Sequence, residues 1–287
     1  ESYFNNANSN IFDGLSNSSD SLFISTINQG KNLIIVSSNN DGERLFRELK
    51  TLKKQIYDEE LIFIPGTEEM PYDMVDSDKY LSSSKNLNII KYINSKSQNI
   101  TIITTAKNLQ KKLLPQKILE ESTIRLEKNK DININEIKDR LSNIGYINSP
   151  QVNFHGEFAI RGSIIDLFPG GYEKPIRIDL DDIKIESIKY FDTNNQITFG
   201  ESIKDIIYVV PINNIVFSKE RIIFFRKKYR EIFEGNPNNS EIYSSISNGL
   251  IPQGFQNYFP LLYDYTETMF DYIKDIKDRF KIPDLAK

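Results

Sequence analysis

One stretch near the amino end has residue types that could hold a nucleotide. Gly14-Leu15-Ser16-Asn17-Ser18-Ser19-Asp20-Ser21 can be laid against the phosphate-cradling spacing G-x-x-x-x-G-K-[ST]. Gly14 and Ser21 fit the outer slots, Ser19 stands in the second glycine slot and Asp20 in the lysine slot. The lysine of such a loop brings positive charge to the β- and γ-phosphates, whereas a carboxylate repels them. Two like charges ~4 Å apart repel by about 4 kcal/mol at an effective dielectric of about 20. The stretch therefore reads as a degenerate nucleotide loop, or as a Ser/Asn-rich segment matching by chance, and ATP hydrolysis is not expected there. Gly30-Lys31 is no substitute, because it precedes its strand where a phosphate loop follows one.

Other chemistries are excluded by composition. The 287 residues include no cysteine, so thiol nucleophiles, disulfides and cysteine-ligated metals are absent, which fits a reducing, cytoplasmic setting. With a single histidine, His155, histidine-clustered metal sites and imidazole-based acid–base networks are not expected. Adjacent Glu68-Glu69 beside Pro71 reads as a solvated loop rather than an acid–base pair. Lys+Arg 36 against Asp+Glu 40 gives a net charge of −4, so binding to nucleic acid would need a local patch. The short basic runs Lys53-Lys54, Lys111-Lys112 and Arg226-Lys227-Lys228 read as solvated helix faces, with weak phosphate contact as the alternative.

The elements that must position these residues follow from periodicity. Hydrophobic residues at 39% and charged residues at 26% describe an ordinary folded chain, and its length suggests two or three domains. No apolar run approaches the ~20 residues that cross a bilayer. The start, Glu1-Ser2-Tyr3-Phe4, lacks both a signal-peptide pattern and an initiator Met, so the chain reads as a piece of a longer one. Apolar runs at 32–38, 61–65 and 100–104 alternate with helical patterns, one capped by Asn39, Asn40 or Asp41 and one over 80–93. Strand–helix alternation of this kind predicts a parallel sheet. From about residue 123 the pattern changes to a short helix at 135–144, stopped by Gly145, and then closely spaced strands. Pro169-Gly170-Gly171 marks a turn, residues 176–180 and 183–186 alternate, and Asp181-Asp182 reads as a hairpin tip. A Ser218-capped amphipathic helix and an aromatic-rich segment at 243–265 follow.

The run Phe154-His155-Gly156-Glu157-Phe158-Ala159-Ile160-Arg161-Gly162-Ser163-Ile164-Ile165-Asp166-Leu167-Phe168-Pro169 resembles a block shared by the excision-repair protein UvrB and the bacterial transcription-repair coupling factors. The likeness continues through Pro175-Ile176-Arg177-Ile178-Asp179 and Phe191-Asp192. Glu69-Met70-Pro71-Tyr72-Asp73 and Leu250-Ile251-Pro252-Gln253-Gly254 are similar to coupling-factor segments, and a decayed nucleotide loop is likewise a coupling-factor trait.

The resemblance implies an α/β fold: a degenerate P-loop NTPase-like, UvrB-like parallel-sheet domain with an inserted small α+β domain. Residues 1–122 would correspond to domain 1a, 123–209 to domain 2, and 210–287 to an incomplete 1b-like segment. It implies a non-catalytic arm that recruits UvrA to RNA polymerase stalled at a lesion, in transcription-coupled nucleotide excision repair. Polymerase and DNA would be bound by other regions of the parent protein, whose translocase part would use ATP and Mg; no cofactor is expected here, and no membrane. The family arginines that touch UvrA match Arg161 and Arg177, and arginine forks suit carboxylate partners. A family aromatic is replaced by Asp181, read as a polar substitute contact. Asp166, Phe168 and Pro169 read as structural, and Gly156 and Gly162 as backbone conformations closed to larger residues. The alternatives are a UvrB-like ATP- and DNA-binding module, which Asp20 opposes, and a DNA-binding module using residues 226–228.

Overall fold

The computed structural model describes residues 17–27, 30–53, 60–66, 79–95, 99–200, 203, 205–252, 254–274 and 278–281. Gly14, the Glu68-Glu69 pair, the 69–73 motif and Gln253 lie outside the described residues. In chain order the elements are α1 (Ser19–Ile27), β1 (Lys31–Val36), α2 (Asn39–Lys53), β2 (Glu60–Ile64), α3 (Lys79–Asn94), β3 (Ile100–Thr105), α4 (Ala106–Leu109) and α5 (Gln116–Ser122). Then come β4 (Ile124–Glu127), α6 (Ile134–Asn143), β5 (Ile147–Asn148), β6 (Glu157–Arg161), β7 (Ile164–Leu167), β8 (Ile176–Asp181), β9 (Lys184–Phe191) and β10 (Thr198–Phe199). The last are β11 (Ile206–Val209), α7 (Lys219–Ile232), α8 (Glu241–Ser247), α9 (Met269–Tyr272) and β12 (Asp278–Lys281). The described residues fall into two compact units, one within 1–63, 96–104 and 275–287, the other within 64–95 and 105–274.

The first unit holds a four-stranded sheet in the order β12-β1-β3-β2. Leu33, Ile34, Val36 and Ile103 are buried because strands covered on both faces must be apolar throughout. Ile24 of α1 and Leu45 and Leu49 of α2 complete that core. The cap of α2 is Ser38, one residue before the three candidates: its hydroxyl oxygen accepts from the Asp41 N–H at 3.2 Å while donating to the Asp41 carboxylate at 2.7 Å. Periodicity did not disclose β12, which runs parallel to β1 with Asp278 beside Asn32. Its four residues are flanked by nothing that distinguishes them from a charged tail.

In the second unit, six strands in the order β10-β9-β8-β7-β6-β5 form a sheet whose inner face meets α6. Phe158, Ile165, Leu167, Ile176, Ile178, Ile185 and Ile188 are buried there with Ile137 and Leu141 of α6. Strands β4 and β11 pair antiparallel, Ile124 opposite Val209, so the chain enters and leaves this module side by side. Pro169-Gly170-Gly171 does more than turn. A Cβ on Gly170 would lie 2.1 Å from the Cβ of Ser83, so the turn is also where α3 makes close contact. The Gly170 N–H donates to the Tyr146 hydroxyl oxygen at 3.1 Å, and that hydroxyl donates to the Val210 carbonyl at 3.2 Å.

His155 lies in the turn before β6, its Nε2 2.9 Å from the Tyr172 carbonyl and its ring 3.8 Å from that of Phe168. One local expectation shifts. The β8–β9 hairpin turns at Asp182-Ile183, with Asp182 at φ 56° and Ile183 exposed; Asp181 still pairs with Lys184.

Candidate functional site

The outer face of the six-stranded sheet carries the two arginines singled out above. The β6–β7 hairpin has a two-residue tip, Gly162-Ser163, and Gly162 adopts φ 59° with nothing near a Cβ, so backbone conformation rather than space favours glycine. That tip sets Arg161 opposite Ile164 and Ala159 opposite Asp166. On the other side of β7, Asp166 stands opposite Arg177 and Ile164 opposite Asp179. Alternation sends Ile176, Ile178 and Leu180 inward, leaving Arg177 and Asp179 on the outer face as the sequence pattern requires.

Asp166 is the centre of this arrangement. Its side chain is 0% exposed, and opposite it on β6 stands Ala159, which is buried in a small apolar cluster with Val152, Phe168 and Phe191. Arg177 forks onto it, Nε to Oδ1 at 2.6 Å and Nη2 to Oδ2 at 2.8 Å, and gives Nη1 to the Gln196 carbonyl at 3.0 Å. The Phe191 ring lies 5.0 Å from the same guanidinium. These hydrogen bonds to Asp166 raise the Arg177 pKa and keep it charged. Arg161 reaches diagonally across the hairpin, its Nη2 2.6 Å from Asp166 Oδ2. The exposures separate the two: the Arg177 side chain is 16% exposed, that of Arg161 51%.

The structure thus brings Arg161 and Arg177 together, and Asp166, read from sequence as a strand end, is what joins them. Asp166 shares the arginine face through hairpin register alone. A two-residue tip after Arg161 was the signal that could have placed it. Asp181 is exposed at the far end of β8, four residues from Arg177, about 13 Å along the strand. It is not part of the cluster. Glu157 of the same block is structural: its carboxylate accepts the Asn153 and Phe154 N–H groups at 2.8 and 2.9 Å.

The described part of the stretch laid against the phosphate-loop spacing, residues 17–21, is organised around a different ion pair. Ser19 opens α1, Ser21 is buried with its hydroxyl donating to the Ser18 carbonyl at 2.8 Å, and Asp20 is buried. Arg44 of α2 forks onto Asp20, Nη2 to Oδ2 at 2.7 Å and Nη1 to Oδ1 at 3.2 Å, and also meets Glu48 at 3.0 Å. In the basic run of α7, Arg226 donates to the Ser247 carbonyl at 2.8 Å and Lys228 pairs with Glu231 at 3.3 Å. Among the described residues, no helix is long and apolar enough to cross a membrane.

Residues 124–215 match the family model described as the UvrB interaction domain, which covers β4 through β11 and the whole arginine cluster. The transcription-repair-coupling factor of Haemophilus influenzae is 30% identical over 260 residues, covering 89% of this chain and 22% of that protein. Those of Escherichia coli and Borreliella burgdorferi are 28% and 29% identical over 209 and 205 residues, covering 73% and 71% of the chain. The chain is homologous to the transcription-repair-coupling factors. It spans about one fifth of the length of these curated relatives, 22%, 18% and 17% respectively. The homology bears out the resemblance.

Proposed function

We propose that the chain is the UvrB-like arm of a transcription-repair-coupling factor, and that it recruits UvrA through the outer face of its six-stranded sheet. The carrying observation is the half-exposed Arg161 guanidinium within the module that matches the UvrB interaction domain. One of its N–H groups is anchored on a buried carboxylate, so the rest of the fork is presented with little orientational freedom left to lose on docking. Two guanidiniums share the single buried Asp166, which favours an acidic partner surface. Asp181, exposed at the end of β8, the strand that carries Arg177, is the proposed polar contact at the edge of that surface.

The first unit reads as a P-loop-like domain without ATPase chemistry. Support comes from Asp20, whose carboxylate is taken up by Arg44 rather than replaced by a phosphate-binding cation. ATP and Mg binding, translocation on DNA and engagement of RNA polymerase are assigned to other parts of the parent protein, working in the cytoplasm. Calorimetric titration of the chain with UvrA from the same organism tests this. Saturable binding to UvrA with no heat from MgATP is expected; ATP hydrolysis by the chain, or no binding to UvrA, would refute it.

A further inference from the structure

We infer that Asp166 is a positioning residue for docking: its buried carboxylate holds the Arg161 guanidinium in the pose that a partner recognises. This inference rests on the recruitment reading above and names the residue that makes the same face competent.

A carboxylate offers two oxygens, and both Asp166 oxygens are occupied by guanidinium N–H groups, three hydrogen bonds in all at 2.6 to 2.8 Å. Arg177 spends its fork inward, on Asp166 and on the Gln196 carbonyl, and is covered by the Phe191 ring. Arg161 spends one N–H on Asp166 and stays 51% exposed. Arg177 thus fixes Asp166, and Asp166 fixes Arg161; only the last of the three faces outward.

Asp179 sits on β8 two residues from Arg177, its carboxylate accepting the Ser187 hydroxyl at 2.6 Å, and Lys189 stands opposite Arg177 on β9. An unanchored arginine samples many rotamers and must lose that freedom when a partner binds, which weakens binding. Asp166 removes that freedom in advance.

Simple charge counting and positioning give opposite signs for one variant. Asp166→Asn deletes a negative charge beside two arginines, so if only charge mattered an acidic partner would bind more tightly. If Asp166 positions Arg161, binding weakens by about tenfold, the loss of one charge-assisted hydrogen bond.

The test combines two measurements. In a double-mutant cycle against UvrA, Asp166→Asn and Arg161→Ala are combined. Positioning requires the double variant to bind about as weakly as Arg161→Ala alone; additive losses, or tighter binding by Asp166→Asn, overturn the inference. The second readout needs no partner: nitrogen NMR of the arginine side chains, in which a held guanidinium gives separate Nη signals. Arg161 is expected to rotate slowly in the unaltered chain and freely in Asp166→Asn; equal mobility in both overturns the inference. Should Asp166→Asn fail to fold, Asp166→Leu with Arg177→Met removes the buried charges in apolar form and leaves Arg161 unanchored. Failure of the unaltered chain to bind UvrA would overturn the recruitment reading alone, while the NMR comparison still decides the positioning of Arg161.

Discussion

Asp20 and Arg44 face each other across α1 and α2 with the guanidinium forked over both carboxylate oxygens, at 2.7 and 3.2 Å. Asp20 stands in the first turn of its helix, where a negative charge also interacts favourably with the unsatisfied N–H groups. The residue aligned with a phosphate-loop lysine is therefore an acid with its own cation. Placing a lysine there does not by itself make a nucleotide site. In Asp20→Lys a second positive charge meets Arg44, which is itself about one-third exposed. Expected is a loss of about 1–2 kcal/mol in urea denaturation, discounted for solvent screening, with no gain in MgATP binding by calorimetry.

Reversing the two outer-face arginines has unequal consequences. Arg177→Glu would set a carboxylate against Asp166, which is wholly buried, and a loss of about 3–5 kcal/mol is expected. Arg161→Glu leaves the buried Asp166–Arg177 fork in place and can turn the new side chain to solvent, so the thermal midpoint should move far less. Scanning calorimetry of both variants checks the order.

Gly170 is expected to be the least replaceable glycine of the second unit. An added Cβ would meet the Ser83 Cβ at 2.1 Å and the Ile212 Cδ1 at 2.9 Å, both within buried surroundings. Gly170→Ala should destabilise by about 1–3 kcal/mol or more through overpacking. Gly162→Ala, at a position with open space and φ 59°, pays only the backbone strain of about 1 kcal/mol. Comparing the two chemical denaturation midpoints distinguishes a packing requirement from a conformational one.

Alkaline pH should unfold the second unit. Burial pushes the Tyr172 hydroxyl from 10.0 up to about 12, and raises Tyr146 and Tyr263 further. The unfolded chain releases these protons near pH 10 while the folded chain keeps them. Stability is thus fully present below about pH 10 and falls as pH rises toward 12, by about 3 kcal/mol from Tyr172 alone. Urea midpoints measured at pH 8, 10 and 11.5 would show the decline, and Tyr172→Phe should make it shallower by the Tyr172 share, the rest remaining with Tyr146 and Tyr263. Because Tyr172 also accepts the Tyr208 N–H at 3.2 Å, that variant starts from a lower stability at neutral pH.

What was legible in the sequence was whatever depends on local period. The alternation of Ile176, Ile178 and Leu180 placed Arg177 and Asp179 outward, and the buried run at 33–36 announced its strand. Ser218 caps its helix through the Arg221 N–H, a contact only three residues long. Long-range pairing was hidden. Asp166 meets Arg177 only because β7 and β8 pair in one register, and β12 joins β1 from the other end of the chain. The hairpin tip was misplaced by one residue because Ile183 looks like a core residue but is exposed, while a bulge at Asp179 and Leu180 shifts the ladder.

The central claim, that the outer sheet face recruits UvrA through Arg161, is tested most directly by calorimetric titration of UvrA with the unaltered chain and with Arg161→Glu. Saturable binding by the first and its loss in the second, with both folded by circular dichroism, is the expected result. Equal affinity of the two chains would contradict it, because an interface centred on that guanidinium cannot tolerate reversal of its charge.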